Sequence, residues 1–340
     1  MKKTALVTGV SGQDGAYLAA LLLKKKYKVI GSDRRSSRSS LWRLKRLGID
    51  KKIILEELEL SELYDIKRLL QKYKFDEIYN LGAQSFVKTS FNSPLYTSNV
   101  TGTSVLKLLE TIREVNPSIK FYQASSSEMY GKVFEKIQNE KTSLNPKSPY
   151  AIAKVFGHFT TKLYRESYNI FAVSGILFNH ESPLRGEEFV TRKITLGLVK
   201  ILSDDLKCLE LGNIYAKRDW GYAKEYVEAI WKMLQTKKPD DFVISTGYTY
   251  TVKDFINECL KYLKIKYKWI GKGLSEKLIN LNTNKVIIKI NKDFFRPSEV
   301  DQLRGNSKKA HKILNWKSKT NFKELVKIML DDEIKFYNKN

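Results

Sequence analysis

Apolar positions along this chain follow two rhythms. In the first half, short apolar runs at residues 5–7, 29–30, 53–55, 78–81, 121–123 and 173–177 read as strands. Between them, apolar residues return every three or four positions near 14–26, 62–73, 98–115 and 149–168, the period of amphipathic helices. This alternation predicts right-handed βαβ units around a parallel sheet, an α/β, doubly wound architecture. After about residue 180 the rhythm loosens and is punctuated by Pro183, Gly186, Gly212, Gly221, Gly247 and Gly271. A smaller mixed α/β unit is expected there, giving a division into 1–180 and 181–340, with some later segments returning to the first unit. Helical patterns near 255–263 and 322–337 read as a closing cap.

Chemistry enters directly after the first strand, at Thr8-Gly9-Val10-Ser11-Gly12-Gln13-Asp14-Gly15. Glycines spaced by three permit a tight turn, close backbone approach to a pyrophosphate and close helix–strand packing, while the following helix offers its N-terminus to phosphate. Placed between a first strand and a first helix, the motif predicts a Rossmann-type dinucleotide-binding domain. The second strand ends in Ser32-Asp33-Arg34-Arg35-Ser36-Ser37, where the adenine ribose would lie. An acidic side chain there suits a free 2′-hydroxyl, and arginines suit a 2′-phosphate. Two adjacent arginines and two serines can surround a phosphate while Asp33 points away, so Arg34, Arg35 and Ser36 favour NADP, and Asp33 leaves NAD as the alternative.

Two further elements suggest acid–base work. Tyr150 and Lys154 stand four apart on the helix near residue 150 and share a face. A neighbouring ammonium is expected to lower the phenol's pKa; moving it from about 10 to about 7 is worth roughly 4 kcal/mol. Tyr-x-x-x-Lys also arises on ordinary amphipathic helices. The second element is Ala124-Ser125-Ser126-Ser127-Glu128-Met129-Tyr130-Gly131, at the carboxyl end of the fifth strand, where ligands bind in open parallel sheets. Ser126 and Glu128, two apart on an extended segment, face the same side. A plain turn explains the serines but not a glutamate at the edge of the cofactor crevice.

Composition narrows the function classes. The chain has 340 residues and carries 61 Lys and Arg against 37 Asp and Glu, a net charge of +24. That excess makes nucleic acid a competing partner. The lysines, however, are scattered over helix faces without interleaved aromatic platforms, so they read as a solvated surface that attracts small polyanions. Cys208 and Cys259 have no metal-ligand spacing and are too few for a disulfide framework, so no metal is expected and a reducing cytoplasm is. Thr8, Gly9, Ser11, Gln13 and Asp14 interrupt the opening apolar run before it reaches signal-peptide length, and no run is long enough to span a membrane.

Longer segments carry a family resemblance: residues 7–18, 80–87, 175–186 (Gly-Ile-Leu-Phe-Asn-His-Glu-Ser-Pro-Leu-Arg-Gly), 189–193, 211–221 and 295–301. With the motifs above, they make the chain resemble the extended short-chain dehydrogenase/reductase family, and within it the GDP-mannose 4,6-dehydratases. The resemblance implies a tightly held NADP, a GDP-mannose or related GDP-sugar substrate, no net redox change and a homodimer or homotetramer. It implies catalytic roles for Ser126, Glu128, Tyr150 and Lys154. On the cofactor side it implies Gly9, Gly12, Gln13, Asp14, Gly15, Arg34, Arg35, Ser36, Glu59, Leu60, Leu81, His180 and Arg192, with Tyr150 and Lys154 again. Substrate contacts fall to Ser85, Asn179, Lys193, Arg218, Arg296 and Glu299, together with Ser126 and Glu128. The family usually has threonine at Ser126, alanine at Gly82, aspartate at Glu59 and Tyr215, and an apolar residue at Asp33. The methyl missing at Ser126 leaves room for a sugar larger at C6, such as a GDP-manno-heptose. Rival readings are a 4-epimerase, for which Glu128 has no role, a reductase consuming NADPH, and a basic nucleic-acid-binding or cofactor-sensing protein.

Overall fold

The computed structural model describes residues 2–36, 41–295, 298, 300 and 302–337. Its first half runs β1 (Thr4–Thr8), α1 (Gln13–Lys24), β2 (Lys28–Asp33), α2 (Trp42–Arg46), β3 (Ile54–Glu57), α3 (Leu63–Lys72), β4 (Glu77–Asn80), α4 (Val87–Asn92), α5 (Pro94–Ser98), α6 (Ser104–Val115), β5 (Lys120–Ser126), α7 (Pro149–Tyr168) and β6 (Ala172–Leu177). The second half adds β7 (His180–Glu181), α8 (Val190–Leu202), β8 (Leu209–Leu211), β9 (Lys217–Arg218), β10 (Gly221–Tyr222), α9 (Ala223–Met233), β11 (Asp241–Ile244) and β12 (Tyr250–Thr251). It closes with α10 (Val252–Tyr262), β13 (Tyr267–Ile270), β14 (Lys277–Asn280), β15 (Lys285–Ile290), α11 (Lys308–Leu314) and α12 (Phe322–Tyr337).

Seven strands form one parallel sheet in the order β11-β6-β5-β4-β1-β2-β3. Alternation along each strand sends neighbours to opposite layers. Ala5 and Val7 join α1 and α9 on one face, and Leu6 joins α3 and α6 on the other. Central strands are covered on both sides and so read as continuous apolar runs, whereas Ile54 and Leu55 on edge strand β3 stay substantially exposed. The winding reverses between β1 and β4, so the loops leaving their carboxyl ends diverge and open a crevice.

All six strands expected from the first half are present. The expected helix at 98–115 is part of a longer run, 94–115, in which a π-helical turn at Asn99–Thr103 joins α5 to α6. Gly102 in that turn faces α7 so closely that a Cβ would lie 3.2 Å from the Ala153 carbonyl oxygen. After residue 180 the chain returns to the first unit with three elements: α9 packs on α1, β11 becomes the seventh strand, and α11 packs on both α9 and β11. The second unit is a mixed sheet, β13-β14-β15-β8, whose core is shared with α8, α10 and α12.

The closing helix α12 is also joined to α8 by charge. Arg192 Nε donates to Glu333 Oε1 at 2.8 Å, and both side chains are almost wholly buried. Breaking such a pair from one side strands a charge in the interior, whereas replacing both partners by apolar groups does not. Arg192→Met is expected to destabilise the protein by about 3–5 kcal/mol. Arg192→Met/Glu333→Leu should recover most of that loss, as read from urea unfolding midpoints.

Candidate active site

The glycine turn is built by contact rather than by sequence preference alone. Gly9 has φ +64°, and a Cβ on it would meet Gly82 Cα at 2.9 Å. At Gly15 a Cβ would lie 2.3 Å from the Gly9 carbonyl oxygen. Gly12 is the N-cap of α1 and has no side chain to cap it, so the first-turn amides remain available to an anion. Asp14 stands in that same first turn, where it pairs with His180: Nε2 to Oδ2 is 2.7 Å. Gln13 Nε2 donates to the His180 carbonyl, and Gln13 Oε1 accepts from Ser182 Oγ.

At the far end of β2, Asp33 is not directed away. Its carboxylate accepts from the Ser11 hydroxyl and from the Arg34 amide, turning it toward the glycine loop. Arg34 lines the crevice and donates to Tyr96 Oη at 2.8 Å, while Arg35 and Ser36 are exposed beside it. Glu59 accepts from the Ser61 amide and hydroxyl next to buried Leu60. Leu81 borders the crevice, its amide bound to Thr8 Oγ1. Arg192 is not part of this wall, being held by Glu333 and by the Arg185 carbonyl. Arg43, which sequence reasoning missed, is: it donates to the Ser11 and Leu184 carbonyls, bridging the glycine loop and the 182–185 turn. Burial, with Arg192 also nearby, lowers its pKa to about 10. An isolated arginine in a loop carries no sequence signal that would have found it.

Tyr150 and Lys154 project from α7, whose start is fixed by Ser148, capping the Ala151 amide at 3.1 Å, and by Pro149 in the first turn. Lys154 Nζ donates to the Ala124 carbonyl at 2.7 Å, and lies 5.7 Å from the centre of the Tyr150 ring. The expected lowering of the phenol's pKa is not what this environment produces. Burial pushes Tyr150 up to about 12; a hydrogen bond from Ser126 lowers it in part and the Glu128 carboxylate raises it further. Burial likewise takes Lys154 down to about 8, with Asp14 opposing. A desolvated ammonium donating to a backbone carbonyl does not offset the cost of a phenolate in the same apolar pocket. Ser126 closes β5 and accepts from the Glu128 amide at 3.2 Å, holding Glu128 on a short 3₁₀ turn at the same wall.

A polar relay that the sequence did not reveal runs beneath these groups. Thr8 Oγ1 donates to Asn80 Oδ1, and Asn80 Nδ2 donates to Gln123 Oε1, both at 2.8 Å and both buried. It links the carboxyl ends of β1, β4 and β5.

Across the crevice lie Ser85, Asn179, Lys193 and Arg218, in a cavity of about 970 Å³ that also contains Ser126, Glu128, Tyr150 and Lys154. Arg218 donates to the Val300 carbonyl at 2.7 Å, and Lys193 Nζ sits 3.5 Å above the Phe294 ring. Burial depresses Lys193, aided by Lys88 and opposed by Glu210. Arg296 and Glu299 lie outside the described residues. Lys88, Arg185 and Asn213 also border the cavity and were not anticipated.

A family model described as GDP-mannose 4,6 dehydratase matches residues 6–329. The chain belongs to this family. It is 45% identical over 346 residues to the GDP-mannose 4,6 dehydratase of Drosophila melanogaster, covering 99% of this chain and 88% of that one. To the GDP-mannose 4,6 dehydratase of Homo sapiens it is 44% identical over 347 residues, covering 100% and 93%. Among solved structures, a UDP-glucose 4-epimerase with UDP-glucose from Thermotoga maritima superposes with a TM-score of 0.81 at 20% identity, covering 99% and 100%. That likeness concerns the fold alone.

The glycine contacts make the family's phosphate turn intolerant of a single methyl. Gly15→Ala would press against backbone atoms of Gly9 and Val10. The variant should lose about 1–3 kcal/mol of stability in chemical denaturation, the usual cost of overpacking. Dinucleotide titration should show weakened binding in the fraction that remains folded.

Proposed function

We propose that this chain dehydrates GDP-mannose to the GDP-4-keto-6-deoxy sugar and water, as a hydro-lyase with a resident nicotinamide dinucleotide. The observation that carries the reading is the presence of Tyr150, Lys154 and Glu128 on one cavity wall. A 4-epimerase needs the first two; only removal of a proton at C5 gives a carboxylate work to do. When bound there, a nicotinamide would accept hydride from C4 at the start and give it back to C6 at the end. Tyr150, as its phenolate, takes the proton of the 4-hydroxyl while C4 loses hydride, and Lys154 stabilises that phenolate beforehand. The 4-keto group acidifies C5; Glu128 takes that proton and passes it to the departing C6 hydroxyl, Ser126 hydrogen-bonds at the sugar, and Tyr150 returns its proton to C5 as hydride reaches C6. Arg218 and Lys193 face the diphosphate, and Ser85 and Asn179 hold the sugar end. Residues 1–180 serve mainly the cofactor, and those after 181 mainly the GDP-sugar.

Several finer points belong to the same reading. NADP is favoured by Arg34 and Arg43 at the adenosine end, with Arg35 and Ser36 beside them. Asp33 supports NAD as the second choice, because it faces the glycine loop. We read the protein as cytoplasmic; among the described residues no helix is long and apolar enough to cross a membrane. Self-association as a homodimer or homotetramer is supported by α7, where Ile152, Phe156, Phe159 and Leu163 form an exposed stripe one turn apart. Phe156→Glu/Phe159→Glu should shift the mass measured by light scattering toward the monomer.

The deciding assay follows product mass with GDP-mannose and, separately, GDP-manno-heptose, each with catalytic NADP or NAD. Loss of one water without net cofactor reduction is expected. An unchanged mass with both sugars would overturn the dehydratase reading, and the faster substrate shows whether the smaller Ser126 side chain admits a bulkier sugar. The pH profile supplies a second check. With Tyr150 near 12, the phenolate fraction rises throughout the working range, while Lys154, near 8, loses its charge above that pH. Activity should therefore climb toward about pH 8 and then flatten or fall. Lys154→Arg, charged at every accessible pH, should be slower but keep climbing beyond pH 9.

A further inference from the structure

The first turn of α1 contains a carboxylate, Asp14, at the helix end where the glycine turn opens its amides to a diphosphate. Left bare, that charge would repel the ligand and occupy the positive end of the helix dipole itself. Its environment removes the conflict. His180 Nε2 lies 2.7 Å from Asp14 Oδ2, and His180 Nδ1 lies 2.7 Å from the Phe178 carbonyl oxygen. A carbonyl can only accept, so Nδ1 carries a proton; a neutral ring would then present a bare lone pair to the carboxylate. Only an imidazolium satisfies both acceptors. The ring is buried and stacks on Tyr226, with centroids 4.7 Å apart.

We propose that the Asp14–His180 ion pair is a charge-cancelling brace of the dinucleotide site: His180, held as an imidazolium, neutralises Asp14 so that the first turn of α1 accepts a diphosphate. The proposal rests on the reading of this crevice as a dinucleotide site. The electrostatic balance agrees with it. Burial works against the charge on His180, Asp14 overrides it, and Arg185 opposes; the net shift is upward. For Asp14, burial is likewise opposed by His180 and Arg185, and the net shift is downward. Gln13 completes the brace, donating to Asp14 Oδ1 and to the His180 carbonyl, both at 3.1 Å. The pair thus joins the glycine turn to the strand that follows Asn179, across 166 positions of sequence. His180 is a positioning residue here rather than a catalytic one.

The test is a charge-rescue cycle read by binding. NADP is titrated calorimetrically into wild type, His180→Asn, Asp14→Asn and the double variant, with melting temperatures confirming the fold. His180→Asn alone, which leaves Asp14 bare, should weaken binding at least tenfold, and the double variant should return to within about threefold of wild type. A double variant as weak as His180→Asn would overturn the proposal, because loss of packing is not rescued by removing a charge. Proton–nitrogen spectra of wild type give an independent reading, since the chain has three histidines and His158→Asn and His311→Asn assign the other two. Both His180 ring nitrogens should carry protons from pH 6 to 8; a neutral tautomer would also overturn the brace. If wild type binds neither NADP nor NAD, the dinucleotide reading itself fails, a result distinct from binding that is lost in His180→Asn and not rescued.

Discussion

Everything at the functional end of this molecule depends on how closely backbone can approach backbone at Gly9. Gly15 and Gly82 press on that turn from α1 and from the end of β4, at distances no side chain would allow. Because the three segments touch through main-chain atoms, the N-terminus of α1 is aimed into the gap where the sheet reverses direction. Thr8 then ties both the Leu81 and Gly82 amides to β1, and the Asn80–Gln123 bond carries the same registration to β5. Lys154 completes it by gripping the Ala124 carbonyl. The helix bearing Tyr150 is therefore located relative to the phosphate turn by a continuous set of short, buried contacts.

The second constraint is electrostatic. Despite the net charge of +24, three buried ion pairs stand out in the interior: Asp14 with His180, Arg192 with Glu333, and Arg165 with Asp241 through two bonds of 2.9 Å. Cations at the crevice behave differently. Arg43, Lys154 and Lys193 all have pKa values lowered chiefly by burial, so their charges are poorly solvated. An anionic ligand supplies what water does not, and these groups gain more from a diphosphate than surface lysines do. The scattered surface lysines set a long-range attraction, whereas these partly or wholly desolvated cations are the ones suited to holding an anion.

The strand and helix pattern of the first unit was legible because both layers around a parallel sheet impose regular spacing on buried residues. The seventh strand, β11, was not: its Phe242-Val243-Ile244 core is too short to stand out after a lysine-rich stretch, and its place beside β6 is fixed by long-range contacts. Cavity-lining residues followed the same division. Those in local motifs, such as Gly12, Glu128 and Lys154, could be read directly, and Asn179 and Arg218 through longer segments. Arg43 and the Thr8–Asn80–Gln123 relay acquire their positions only when distant strands come together. Arg192 illustrates the converse, since its motif is recognisable but its guanidinium is committed to α12.

The disagreement over Tyr150 has a chemical meaning. A phenol raised to about 12 by burial is almost wholly protonated near neutral pH, yet the small phenolate fraction is a correspondingly stronger base. On the proposed reading, the sugar hydroxyl becomes acidic only as its carbon surrenders hydride, which would couple proton transfer to hydride transfer. A site that pre-ionised the tyrosine would pay continuously for a buried anion. This one keeps the phenol mostly neutral beside Ser126 and Glu128, so on the proposed reading the small phenolate fraction, which grows with pH, is the working base. Glu128 is held to the same wall by the Ser126 cap, so the carboxylate that this reading assigns to the second proton needs no rearrangement to reach it.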